Sequence, residues 1–92
     1  MSATAETPAR IRALLEARFS PSVLEIHDES AAHAGHAGAR EGGHYYVHVV
    51  APAFSGLTLV RRHRLVQDAL APLYATEIHA LSLHTRAPEE AD

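Results

Sequence analysis

Residues 23–51 read VLEIHDESAAHAGHAGAREGGHYYVHVVA, and this segment decides the fold. Its two ends alternate. Leu24 and Ile26 fall on one side of an extended chain, with Glu25 and His27 on the other. Tyr45, Val47 and Val49 share one face of the second run, opposite His44, Tyr46 and His48. Both ends therefore read as half-covered strands, and antiparallel pairing is the simplest way to join them. Between them, residues 30–43 form a glycine-rich, polar loop. The stretch 28–48 holds four of the eight histidines and four of the five glycines. A loop this long between strands points to function, here the presentation of a ligand-binding group.

Working outward, Thr7-Pro8 has the form of an N-cap followed by a first-turn proline. Ile11, Leu14, Leu15 and Phe19 recur at helical spacing, which predicts an amphipathic helix over 8–19. Ser20-Pro21-Ser22 ends it. On the other side Pro52 stops the second strand, and 53–56 make a turn with Phe54 in the core. A longer helix is predicted over 58–74, with Leu59, His63, Val66, Leu70 and Leu73 on its buried stripe. Pro72 should kink or close that helix near Leu70. Residues 77–85 alternate again, placing His79, Leu81 and Leu83 on one face and Ile78, Ala80, Ser82 and His84 on the other. The order α-β-β-α-β describes an α+β domain whose helices cover one face of a three-stranded sheet. Residues 1–7 and the acidic 87–92 are expected to be flexible tails around one domain spanning 8–86.

Composition narrows the function classes. Ninety-two residues with 47% apolar content support one core without disulfides. There is no cysteine, so the chain cannot build a thiolate metal site alone. No apolar run approaches the roughly 18–20 residues of a bilayer span, and the first ten residues lack the pattern of a secretory signal. A cytoplasmic protein with no membrane partner is the expectation. Net charge is −3, all eight basic residues are arginine, and non-specific DNA affinity needs a cationic surplus that this chain lacks. No nucleophile with a recognisable neighbour motif occurs, and an enzyme is not expected.

The runs LEIHDES, HAGHAG, GGHYYVHVV, PAFSGLTLVRRHRLV and IHALSL resemble the BolA family over 11–88. Arg62-His63-Arg64-Leu65-Val66 and His79-Ala80-Leu81 are the most specific pieces. The resemblance implies a KH-like fold of the class II type, with a short turn or helix before the long helix. It also implies a non-enzymatic partner of monothiol glutaredoxins that shares a [2Fe-2S] cluster, with glutathione supplied by the glutaredoxin, in iron homeostasis or cluster trafficking. Members are also described as DNA-binding regulators of morphology and stress responses. Alone, the chain is expected to be a monomer or weak homodimer.

Carried over residue by residue, the family's C-terminal cluster ligand falls on His79, and its loop ligand on His33, with His36 as the alternative three residues on. His44 matches a recurrent family histidine and is a supporting candidate. Two imidazoles would leave two of four iron positions for a partner's thiolates. Histidine ligation of that kind raises the potential of Rieske centres and makes binding sensitive to pH.

Arg61, Arg62 and Arg64 form the one basic run, with His63 inside it on the apolar stripe as a further supporting residue. Three arginines in the first turns of a helix oppose its dipole, so helix stability does not explain them. Partner docking, glutathione or carboxylate recognition and phosphate contact are the functional readings. Gly35-His36-Ala37-Gly38 spells a G-x-x-G clamp but lies between strands. In a KH-like arrangement the clamp belongs around 53–59, which contains only Gly56.

Overall fold

A computed structural model describes residues 3–29, 43–74 and 76–90. The elements are α1 (Ala3–Phe19), β1 (Val23–Asp28), β2 (Gly43–Val50), a 3-10 turn (Pro52–Phe54), α2 (Leu59–Ala69), a single-turn α3 (Ala71–Tyr74), β3 (Ile78–Arg86) and a second 3-10 turn (Pro88–Glu90). This is the α+β order that the alternating segments predict, and it agrees with the KH-like arrangement that the family resemblance implies. The sheet order is β1-β2-β3. β1 runs antiparallel to β2, with Leu24 opposite Val49 and Ile26 opposite Val47. β3 lies parallel to β2 on its other side, which requires the crossover through α2 and α3.

The pleat sends Tyr45, Val47 and Val49 into one continuous core with Ile11, Leu15 and Phe19 of α1 and Val66 and Leu70 of α2. Leu24, Ile26, Leu81 and Leu83 pack against its margin. Phe54 is fully buried, and its ring lies 5.3 Å from that of Phe19. Gly56 then takes φ +77°, a conformation that favours glycine, and this reverses the chain into α2. Thr58 caps α2, its Oγ1 accepting from the Arg61 backbone N–H at 3.2 Å. α2 ends at Ala69 before Pro72, as the proline requires.

Three expectations are corrected. α1 begins at Ala3 instead of Pro8, so Pro8 lies inside the helix, not at its first position. Thr7 is fully buried, and its hydroxyl donates to Glu77 Oε1 at 2.7 Å, tying this turn to the start of β3. The loose tail from 87 is also wrong through Glu90: Ala87 is buried and residues 88–90 form a turn whose last carboxylate is anchored. Finally, the buried stripe of α2 runs through Arg62, Val66 and Ala69, while Leu59 is 62% exposed. The reason is a carboxylate that the sequence pattern could not place. Arg62 donates to Glu90 Oε1 and Oε2 at 2.7 and 3.0 Å, to the Leu57 carbonyl at 3.0 Å and to the Thr85 carbonyl at 3.3 Å. A guanidinium satisfied on that many sides can take a core position. Among the described residues, no helix is long and apolar enough to cross a membrane.

Candidate functional site

On the side of β2 that no described helix covers, His44, Tyr46 and His48 follow one another at every second position. The pleat makes Gly43, Tyr45, Val47 and Val49 buried and leaves His44, Tyr46 and His48 half-buried on the other face. The decisive irregularity lies where β3 begins. Gly43 pairs with Ile78, but His44 pairs with Ala80, so His79 is an extra residue. A bulge of this kind re-aims a side chain and recurs beside functional sites. Here Ile78 stays in the core and His79 is exposed. The predicted grouping of His79 with Leu81 and Leu83 is therefore corrected: the bulge breaks the alternation and sets the His79 ring beside His44, centroid to centroid 5.2 Å.

The same sheet end holds both roots of the segment 30–42. The Glu29 N–H donates to the His44 carbonyl at 2.7 Å, and the Gly43 N–H donates to the Glu77 carbonyl at 3.0 Å. The two described flanks of that segment, Glu29 and Gly43, thus lie at the sheet end where His44 and His79 meet. His33 and His36 themselves lie outside the described residues.

The base of the site is braced from α1. Glu77 Oε1 accepts from the Thr7 hydroxyl and from Arg10, each at 2.7 Å. The Thr7 hydrogen bond and the Arg10 guanidinium hold the Glu77 carboxyl below its ordinary value. The residue immediately before Ile78-His79 is in this way fixed to the helix layer. Gly43 is needed for a separate reason: a Cβ there would collide with the Tyr45 ring, which folds back over it.

The basic run divides. Arg61 and Arg64 are exposed at the start of α2, beside exposed Leu59 and Val60, and remain available for contact. Arg62 is only 5% exposed, so its assignment to partner or nucleic-acid contact is corrected to a structural role by the Glu90 pair. His63 is half-buried on α2.

One row of side chains went unremarked in the sequence. Glu25, His48 and His84 are register partners straight across the three strands on the uncovered face. His48 Nδ1 lies 3.1 Å from Glu25 Oε1, and the His48 and His84 rings stack at 4.8 Å. The alternation had placed each residue on its face; only the register could align them. Among the described residues, no three metal-binding side chains converge as a complete ligand set.

The sequence model of the BolA-like protein family matches residues 15–90. BolA-like protein 1 of Mus musculus is 40% identical over 89 residues, covering 97% of this chain and 64% of that protein. The DNA-binding transcriptional regulator BolA of Escherichia coli (strain K12) is 40% identical over 81 residues, covering 88% of this chain and 75% of that protein. Among solved structures, the BolA domain of SufE1 from Arabidopsis thaliana superposes with a TM-score of 0.81 at 42% identity, covering 90% of this chain and 93% of that domain. The chain spans from 24% to 64% of the length of several of the curated relatives it matches.

Proposed function

The chain belongs to the BolA-like protein family, and on that premise we propose that it is a non-enzymatic adaptor that shares a [2Fe-2S] cluster with a monothiol glutaredoxin. The observation that carries this reading is the bulge at His79. It turns an exposed imidazole toward the sheet end from which the segment bearing His33 and His36 springs. The occurrence of a closely similar domain in a SufE-like protein supports an iron–sulfur setting.

The donor chemistry suits a shared group. His79 and one loop histidine, His33 or His36, would hold one side, and a chain without cysteine leaves the thiolate positions to its partner, with glutathione arriving on the glutaredoxin. The bound cluster would supply one-electron and iron-transfer chemistry. The chain's own residues position the ligand: Glu77 clamps the strand start to α1, and His44 packs against the His79 ring. An exposed imidazole releases metal on protonation, which favours delivery over permanent storage.

The test is anaerobic reconstitution of the purified chain with a monothiol glutaredoxin, followed by visible absorbance and circular dichroism. A spectrum distinct from that of the glutaredoxin alone is expected, and it should change in His79→Ala. Spectra identical to the glutaredoxin homodimer, or unaffected by His79→Ala, would remove the reading.

A second reading, DNA binding, rests on the exposed pair Arg61 and Arg64 and on the name of the Escherichia coli relative. Two arginines and a net charge of −3 supply a weak phosphate grip. A gel shift that survives physiological salt and disappears in the Arg61→Ala/Arg64→Ala double variant would promote this reading above the first.

A further inference from the structure

We propose that the outward stripe of α2, continued into α3, pairs with the same stripe of a second copy of this chain across a two-fold axis, giving a weak antiparallel dimer. The stripe uses no residue of β1, β2 or β3 and lies apart from the His79 end of the sheet.

Helical spacing defines the stripe. Arg62, Val66 and Ala69 turn inward and are buried, which sends Val60, Arg64, Gln67 and Asp68 outward at i, i+4, i+7 and i+8. All four are exposed. The Leu70 N–H still donates to the Val66 carbonyl at 3.0 Å, so the helical path continues past Ala69 to the exposed Ala71 and Tyr74. Apolar side chains collect at both ends of this unit. Leu59 is 62% exposed and Val60 61% at its start, and Tyr74 is 37% exposed at its end. Exposed large apolar side chains gathered on one element mark an interaction surface, whereas singly scattered ones do not.

The charges between the two ends select the partner. Arg64 and Asp68 stand at i and i+4, a spacing at which Glu6–Arg10 and Arg12–Glu16 do pair in α1. Yet Arg64 and Asp68 pair neither with each other nor with any other described residue. Aspartate is one methylene shorter than glutamate, and an acid on the C-terminal side of its cation is the poorer orientation. The stripe therefore offers one unpaired charge of each sign. A two-fold rotation about a point beside Val66 sets Arg64 of one copy against Asp68 of the other, and symmetry supplies the reverse pair. The same rotation brings Val60 onto Ala71, because the midpoints of the two pairs fall half a residue apart, about 0.75 Å along a helix. A patch of one sign fits a foreign partner of the other sign. A patch complementary to its own reverse fits a second copy.

The contact is small. One helical unit against its copy stays below about 1,200 Å² of buried surface, so association on the order of 0.1–1 mM is expected. Because the stripe faces away from the side of α2 that is buried, the dimer leaves the exposed His79 free in both copies.

The experiment is sedimentation equilibrium of the intact chain up to about 1 mM, with amide shifts recorded over the same range. The parent's average mass should climb from monomer toward dimer, with concentration-dependent shifts centred on α2 and α3. Arg64→Glu and Asp68→Arg should each weaken association by at least about tenfold, since like charges then meet. An equimolar mixture of the two variants should regain the parent's association, because both reciprocal contacts of the mixed dimer join opposite charges. That recovery also shows that the variants are folded. A parent that stays monomeric at about 1 mM would assign the stripe to a foreign protein and overturn the proposal. Single variants that associate as the parent does, or a mixture that stays monomeric, would overturn it as well. Cluster sharing with a glutaredoxin is read from the reconstituted complex and from His79→Ala, so neither result decides the other.

Discussion

Arg62 and Glu90 face each other through two hydrogen bonds, at 2.7 and 3.0 Å, with the guanidinium buried in the α2–sheet layer and the carboxylate reaching in from the turn after β3. The Ala87 N–H also donates to Glu90 Oε1, at 2.8 Å. One ion pair thus holds the start of α2, the end of β3 and the chain beyond it. The Arg62 hydrogen bond, aided by the Ala87 backbone, lowers the Glu90 carboxyl from 4.5 to about 2. A carboxyl lowered on folding contributes stability above its unfolded value and loses that contribution as pH falls through its folded value. Thermal melts of the parent and Glu90→Gln should therefore differ most near neutral pH. The gap should close between pH 4.5 and about 2. A gap that stays constant across that window would refute the linkage.

The two exposed arginines should behave unlike the buried one. Arg61→Ala and Arg64→Ala are surface changes, expected to alter stability by no more than about 0.5 kcal/mol. Arg62→Ala removes the cation paired with Glu90 and the side-chain donor to two backbone carbonyls, and its melting temperature should fall well below those of the other two. Differential scanning calorimetry of the three variants at one pH separates the roles.

Thr7 offers a check on where α1 starts. Its buried hydroxyl donates to Glu77, so Thr7→Val removes a hydrogen bond to a charged acceptor while keeping the shape. A loss of about 1.5–3 kcal/mol in urea denaturation is expected. Amide exchange at residues 77–79 should speed up in parallel, since the strand start loses one of its two ties to α1.

Phe54 tests the core. It is fully buried against Phe19, so Phe54→Ala should cost about 3–5 kcal/mol, measured as a shift in the urea midpoint at unchanged slope. A value below about 1 kcal/mol would mean that the 3-10 turn collapses into the space without penalty.

Most of the architecture was legible because it depends on periodicity. Leu24 and Ile26, and then Tyr45, Val47 and Val49, needed only the pleat to be placed, and Pro72 ended α2 where its ring must. What could not be read depends on partners distant in sequence. Arg62 looks like a solvated charge until Glu90 closes on it. His79 counts as a member of the Leu81 face until the pairing with β2 shows one residue too many. The alignment of Glu25, His48 and His84 needs the register of both neighbouring strands at once. Of the candidate ligands, the structure brings His44 and His79 together, while His33 and His36 fall in the segment outside its description.

The parallel pairing of β2 with β3 has a consequence for the order of events in the cell. β1 and β2 can meet as soon as both have left the ribosome, but β2 gains its second neighbour only after α2 and α3 have been made. Contacts between residues as far apart as Gly43 and Ile78 form late, because the intervening chain must be closed first. Until then one edge of the central strand is bare and its imidazoles have no His79 or His84 beside them. The His44–His79 and His48–His84 pairs therefore exist only once β3 has docked beside β2.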